Sequence, residues 1–239
     1  LYRKLSFEAP TVFPLVLDAI ELNNDMVELT LEPSINLLSA HFLFQRDDLK
    51  KSVISVTKLA LDCAYGVYCL HKKITASFKG TLKAYDIGFS SQNGCWKFFN
   101  LDSLQVTEIS DNDMAKDILA LGGCLFDLLF LPLLDLCCNT DQKIAEVDSV
   151  VNLLQQIFLS MRCAELQYRA SIEVVIKQLM KALEKLDPSN KLYCFDPVIA
   201  SVKYLLEPGY AIEKVENLKL TEIQSPRIEE NPDIPNIIQ

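Results

Sequence analysis

Leu82–Ser103 reads LKAYDIGFSSQNGCWKFFNLDS, and this stretch decides what kind of fold the chain can adopt. Ile87 and Phe89 lead into Asn93-Gly94, a two-residue turn signal, and Trp96-Lys97-Phe98-Phe99 reads as the return strand. A β-hairpin is therefore predicted over 86–99. On its N-terminal side the period changes from strand to helix. From Leu49 to Lys72, apolar residues recur at Val53, Val56, Leu59, Ala60, Cys63, Val67 and Leu70, which is helical spacing over about six turns. On its C-terminal side, residues 117–129 are again long, apolar and helical. A generic helical protein would not need a hairpin flanked by two long helices.

Composition bounds what this core serves. The chain has 239 residues, half of them apolar, enough for a sizeable core. Its net charge is −9 and its pI about 4.8. That argues against nucleic acid or an anionic membrane surface as the main partner, since both select basic patches. Only seven glycines are present, and none forms a G-x-G-x-x-G loop. The eight cysteines stand at 63, 69, 95, 124, 137, 138, 163 and 194, with no C-x-x-C pair, and His41 and His71 are isolated from them. They read as buried free thiols of a reducing compartment rather than a zinc site.

The run Ile118–Cys138 is nearly continuous apolar sequence of membrane-span length. Asp127, Pro132 and Asp135 interrupt it, and each acid near a bilayer centre would cost about 2.5–3.5 kcal/mol. These interruptions weigh toward a helix of the protein core, with no membrane span. The opening sequence has no signal-peptide pattern, so an intracellular, cytoplasmic protein is expected. Leu1 in place of Met is read as a fragment or a trimmed start.

Elsewhere, Val12–Leu22 and Met26–Leu31 read as strands joined at Asn23-Asn24-Asp25, and 34–50 as a short helix and a polar bend. Asp187-Pro188-Ser189-Asn190 is a turn, and Val198–Leu206 one more amphipathic helix. Residues 210–239 are polar and proline-punctuated, too sparse in apolar residues to fold alone. Val215, Leu218, Leu220, Ile223 and Ile228 nevertheless recur there, and are read as candidates for docking, on the chain's own body or on a partner.

In order and spacing these features resemble a protein kinase, over about residues 8–186. Leu82-Lys83 matches the L-K of H-R-D-L-K-x-x-N, the hairpin follows, and Asn100-Leu101-Asp102 falls on D-F-G. Tyr68-Cys69-Leu70-His71 resembles the Y-L-H that closes the helix before that loop. Asp117, leading Ile118 to Leu129, takes the place of the aspartate in D-x-W-S-x-G that caps the catalytic loop. Gly122 there would allow close helix packing. Tyr168-Arg169-Ala170-Ser171 resembles R-P-S before the last helix.

The resemblance implies an α+β, mainly helical fold. Residues 1–33 would be the remnant of a small lobe, 34–186 the large lobe, and 187–239 an extension with one helix and a docking tail. It also implies lost chemistry. The catalytic-base position holds Thr81, and Asn100 stands where a metal carboxylate belongs, while Asp86 takes the place of the metal-binding Asn. A threonine hydroxyl cannot accept a proton near neutral pH, and a neutral amide is a poor Mg²⁺ ligand beside triphosphate. No phosphate loop or nucleotide lysine is in view, the segment after Leu101 is short, and A-P-E is missing. Arg169, which in kinases pairs with the glutamate of A-P-E, would then need another acid or face solvent. The implied protein is a pseudokinase without cofactor or metal, binding protein partners. An alternative is an atypical nucleotide- or metal-binding enzyme in which Asp86 and Asp102 share a cation.

Overall fold

Among the described residues, two small antiparallel sheets accompany a helical body. The computed structural model describes residues 12–21, 27–45, 47–90, 94–106, 108–140 and 144–188. Residues 1–11 of the expected small-lobe remnant, the turn at 23–25 and everything expected beyond 188 lie outside the described residues, and with them Val198–Leu206 and the candidates Val215, Leu218, Leu220, Ile223 and Ile228.

Strand β1 (Val16–Glu21) pairs antiparallel with β2 (Val27–Leu31), Val16 opposite Leu31 and Glu21 opposite Val27. β1 begins four residues later than the expected Val12. Pro14 is the physical reason, because it has no N–H to give to a ladder. The pair is closed instead by the Glu32 N–H on the Leu15 carbonyl at 3.0 Å and the Leu15 N–H on Glu32 Oε1 at 3.0 Å.

The expectation of helix and bend over 34–50 is corrected at its start. Ser34–Asn36 form a third strand, β3, before 3₁₀ turns over Leu37–Leu43. A three-residue strand is too short to display a period, and only its partner reveals it. β3 pairs with β4 (Ile87–Ser90), and β4 with β5 (Cys95–Phe98), all antiparallel. The predicted hairpin is thus present, with Phe89 opposite Trp96 and their rings 5.4 Å apart.

Helix α1 (Leu49–Cys69) starts at Asp48, whose side chain accepts the Lys51 N–H at 2.9 Å. It continues as a π turn over Leu70–Ile74 and stops at Thr75, in the left-handed region at φ 57°. Helix α2 (Asp111–Leu125) opens with a capping box between Ser110 and Asp113. A π turn over Phe126–Phe130 then leads to α3 (Leu131–Cys138). Pro132 explains that break, since it lacks the N–H an α-helix would use and crowds the carbonyl four residues back. α4 (Ala145–Met161) and α5 (Ile172–Leu186) follow, α5 capped by Ser171 and lying along α1 and α4. Gly122 is a close-approach position: a Cβ there would stand 2.7 Å from Met161 Cβ on α4.

The apolar runs change roles. The kinase resemblance implies that 118–138 is the central helix, buried on all sides. Burial is instead deepest in α1 and its π turn: 83% of the apolar window within 49–74 is buried, against 44% of that within 111–138. Both stretches are long and apolar enough to cross a membrane by length and composition. The second keeps Leu119, Leu131 and Leu134 on the surface. The core gathers around α1 with Tyr65, Phe78, Phe98, Phe130 and Phe158. The architecture is α+β and mostly helical.

Candidate functional site

The loop from Ser77 to Asp86 joins the π turn to β4 and carries most of the residues that the sequence singles out. Lys79 and Gly80 both have positive φ, 51° and 84°. Only glycine takes such a conformation without strain, and a Cβ on Gly80 would also sit 3.1 Å from Lys116 Cβ. This double turn aims backbone N–H groups inward, a concavity suited to an anion.

Asp117 fills it. Its Oδ1 accepts the Gly80 N–H at 2.8 Å; its Oδ2 accepts the Phe78 N–H at 3.0 Å and the Ser77 hydroxyl at 2.8 Å. His71 Nε2 lies 3.0 Å from the same Oδ2. The carboxylate is fully buried, as is nearly all of the imidazole. The reach to the 78–81 amides expected of Asp117 is therefore present. Ser77 pairs with Gln105 through two backbone hydrogen bonds of 2.9 and 3.0 Å, which ties the segment after β5 to the same loop.

Thr81 and Asn100 spend their polar atoms locally. Thr81 donates its hydroxyl to the Phe78 carbonyl at 2.6 Å. Asn100 donates its amide to Asp86 Oδ1 at 2.8 Å and accepts the Asp102 N–H at 3.2 Å. Asp86 Oδ2 accepts the Lys83 N–H at 2.7 Å, closing the 3₁₀ turn Ala84–Asp86. Burial pushes the Asp86 carboxyl up, and the Lys83 and Asn100 donors only partly offset it. Asp102 is exposed, and Asp86 acts as a loop cap. Among the described residues, no three of His, Cys, Asp and Glu converge as a metal-binding set.

Arg169 corrects the expectation that it needs another acid or solvent. Its guanidinium donates to three backbone carbonyls: Cys163 at 2.8 Å, Ala115 at 2.7 Å and Ala164 at 3.2 Å. It thereby fastens the start of α5 to α2.

Two further buried acids, Glu32 and Asp62, lie outside this loop and outside the residues that the sequence points to. Glu32 takes Lys97 Nζ and the Ser90 hydroxyl, each at 2.6 Å, besides the Leu15 N–H. Burial raises its carboxyl, but these donors outweigh it and hold the group below its ordinary value. The pair links the hairpin β1–β2 to the sheet β3–β5. Asp62, inside apolar α1, accepts the Trp96 N–H at 3.0 Å through Oδ2, and its Oδ1 has no hydrogen-bond partner. Burial pushes the Asp62 carboxyl up to about 8, with the Trp96 N–H and the Lys58 charge pulling the other way. The outer N–H groups of edge strand β5 are thus satisfied by Asp62 and, at Phe98, by the Val12 carbonyl at 2.9 Å. The signals existed: one lysine in Trp96-Lys97-Phe98-Phe99, and one acid in a run of apolar helix.

Cys63, Cys69 and Cys95 are buried free thiols, while Cys138 is exposed. Burial lifts Cys63 well above its usual value and Cys95 to about 12, so neither is a nucleophile near neutral pH. Compared with protein-family models and with curated proteins, the chain matches none.

Proposed function

We propose that this chain is a protein-kinase-like module that has lost phosphoryl transfer and serves as an interaction scaffold or allosteric subunit. One contrast carries the reading. Asp117 grips the loop at the position where the kinase pattern keeps a structural aspartate. Thr81 and Asn100, at the positions of base and metal ligand, hold only the fold's own atoms. In this reading 1–33 is the remnant of a small lobe, and α1 to α5 form the large lobe. The helices 49–74 and 111–138 belong to a cytoplasmic protein rather than to a bilayer. The extension 187–239, through Val215, Leu218, Leu220, Ile223 and Ile228, is the docking element for a protein partner.

Thermal unfolding of the full chain with ATP and Mg²⁺ tests the loss of chemistry. No shift is expected. A ligand at a hundred times its Kd adds about 2.7 kcal/mol, or about 5–10 °C for a domain of this size. A saturable rise of that order, or incorporation of phosphate into any substrate, would overturn the reading.

A further inference from the structure

The two sheets differ in how much of themselves they bury. In β4 and β5 every residue is buried except the half-buried Phe89. In β1 and β2 no described side chain is buried. Asp18 stands opposite Thr30 and Ile20 opposite Glu28, so these four share one face of the pair, and all four are exposed. Val16, Leu29 and Leu31 take the other face and are only half-buried. Leu17 at the register shift, Leu15 just before the strand, and Ile20 are each half-exposed.

A two-stranded ribbon is marginal in water until a further strand or a helix covers it. The Glu32 contacts anchor one end of this one, and among the described residues the sheet has no third strand. Charge decides what fits beside it. Residues 12–45 hold five acids and no lysine or arginine. Glu32 is held by Lys97, whereas Asp18 and Glu28 stand on the exposed face. A second copy would bring the same acids together, which disfavours pairing of β1 with itself. A strand carrying lysine or arginine suits both features. Its charges meet Asp18 and Glu28, and its aliphatic stems lie on Ile20.

We infer that β1 is a docking edge for an extended segment of a partner protein in which basic and aliphatic residues alternate. The inference depends neither on a relation to kinases nor on the tail as a docking element.

The test uses the full chain and a fluorescein-labelled peptide, Lys-Val-Lys-Val-Lys-Val-Lys, followed by anisotropy. Binding should be saturable and should weaken as salt is added. Asp18→Lys combined with Glu28→Lys changes two exposed positions, so the fold should persist. This double variant should bind the peptide about tenfold more weakly and should gain the corresponding Glu-Val peptide. Proline in place of the peptide's central valine keeps the charge but breaks the strand, and should weaken binding by a similar factor. Amide exchange at 16–21 should slow when the first peptide is bound. Absence of saturable binding, equal affinity for the proline peptide, unchanged affinity in the double variant, or protection confined to other segments would each overturn the proposal. So would a free chain that sediments as a dimer with its 16–21 amides already protected, since a second copy would then occupy the edge.

Discussion

Asp117 and Asp62 are both carboxylates buried beside α1, yet one is surrounded by donors and the other nearly bare. Asp117 receives two backbone N–H groups, a hydroxyl and an imidazole. Asp62 receives a single N–H, and its second oxygen has no hydrogen-bond partner. Burial alone penalises the charged form of each. The difference lies in what the neighbouring chain can donate. The 77–80 turn bends its amides toward one point, whereas a strand edge offers one N–H for every two residues. A carboxylate in the first setting organises a loop; in the second it caps an edge, and burial favours its protonated form.

Removing Asp117 should have the largest effect. Asp117→Ala would strand the Phe78 and Gly80 N–H groups, the Ser77 hydroxyl and His71, for a loss of about 4 kcal/mol at neutral pH. Urea unfolding reads this as a fall in midpoint with unchanged slope. A loss under about 1 kcal/mol would mean that the loop does not need its carboxylate.

Glu32 and Lys97 offer an intermediate case, a buried acid with a full cation. Lys97→Met alone should cost about 3 kcal/mol by leaving Glu32 buried and uncompensated. Adding Glu32→Leu should recover most of that loss. If the double variant is as unstable as the sum of the two singles, Glu32 and Lys97 are not coupled, and the contrast drawn from the two aspartates does not extend to them.

For Asp62 the distinguishing variable is pH. Its carboxyl sits at about 8 in the fold against an ordinary 3.8, so the unfolded chain ionises first. Its contribution is therefore fully present below about pH 3.8 and is lost progressively as pH rises to about 8, on the order of 2 kcal/mol after discounting for relaxation. Glu32 works in the opposite direction, since a lowered acid loses its contribution in acid, so the measurement belongs between pH 5 and 8. Trp96, the one tryptophan, reports unfolding at the site itself. The wild type should lose stability relative to Asp62→Asn across that window. Parallel curves would show Asp62 to be charged throughout.

How much of this was legible in the sequence follows from range. The β4–β5 hairpin and α1 were readable, because Asn93-Gly94 and the recurrence from Val53 to Leu70 are local signals. β3 was not, since its three residues become a strand only beside Phe89 and Gly88. Asp117 could be placed against its loop only through the resemblance to the kinase pattern, which implies both partners. Arg169 could not, because its acceptors are backbone carbonyls, which every sequence has everywhere. The Glu32–Lys97 pair spans 65 residues with nothing local to announce it. Which apolar run is central is likewise a packing outcome. Both runs are hydrophobic enough, and only the assembled helices settle it.

The smallest effect is expected at Thr81, and it separates loop architecture from chemistry most directly. Thr81 lies on the same loop that Asp117 organises, but its side chain is exposed and makes one bond, to the Phe78 carbonyl. That carbonyl also accepts the Thr81 N–H at 3.0 Å, so Thr81→Ala leaves it paired. A loss of at most about 0.5 kcal/mol follows, within the range of ordinary surface substitutions. If the kinase-like reading is right, the base position is chemically silent, so Thr81→Ala should leave nucleotide response and partner binding at their wild-type values. A variant as stable as wild type that nonetheless loses a measurable activity would place chemistry on the Thr81 hydroxyl, and would turn the loop held by Asp117 from a relic into a working site.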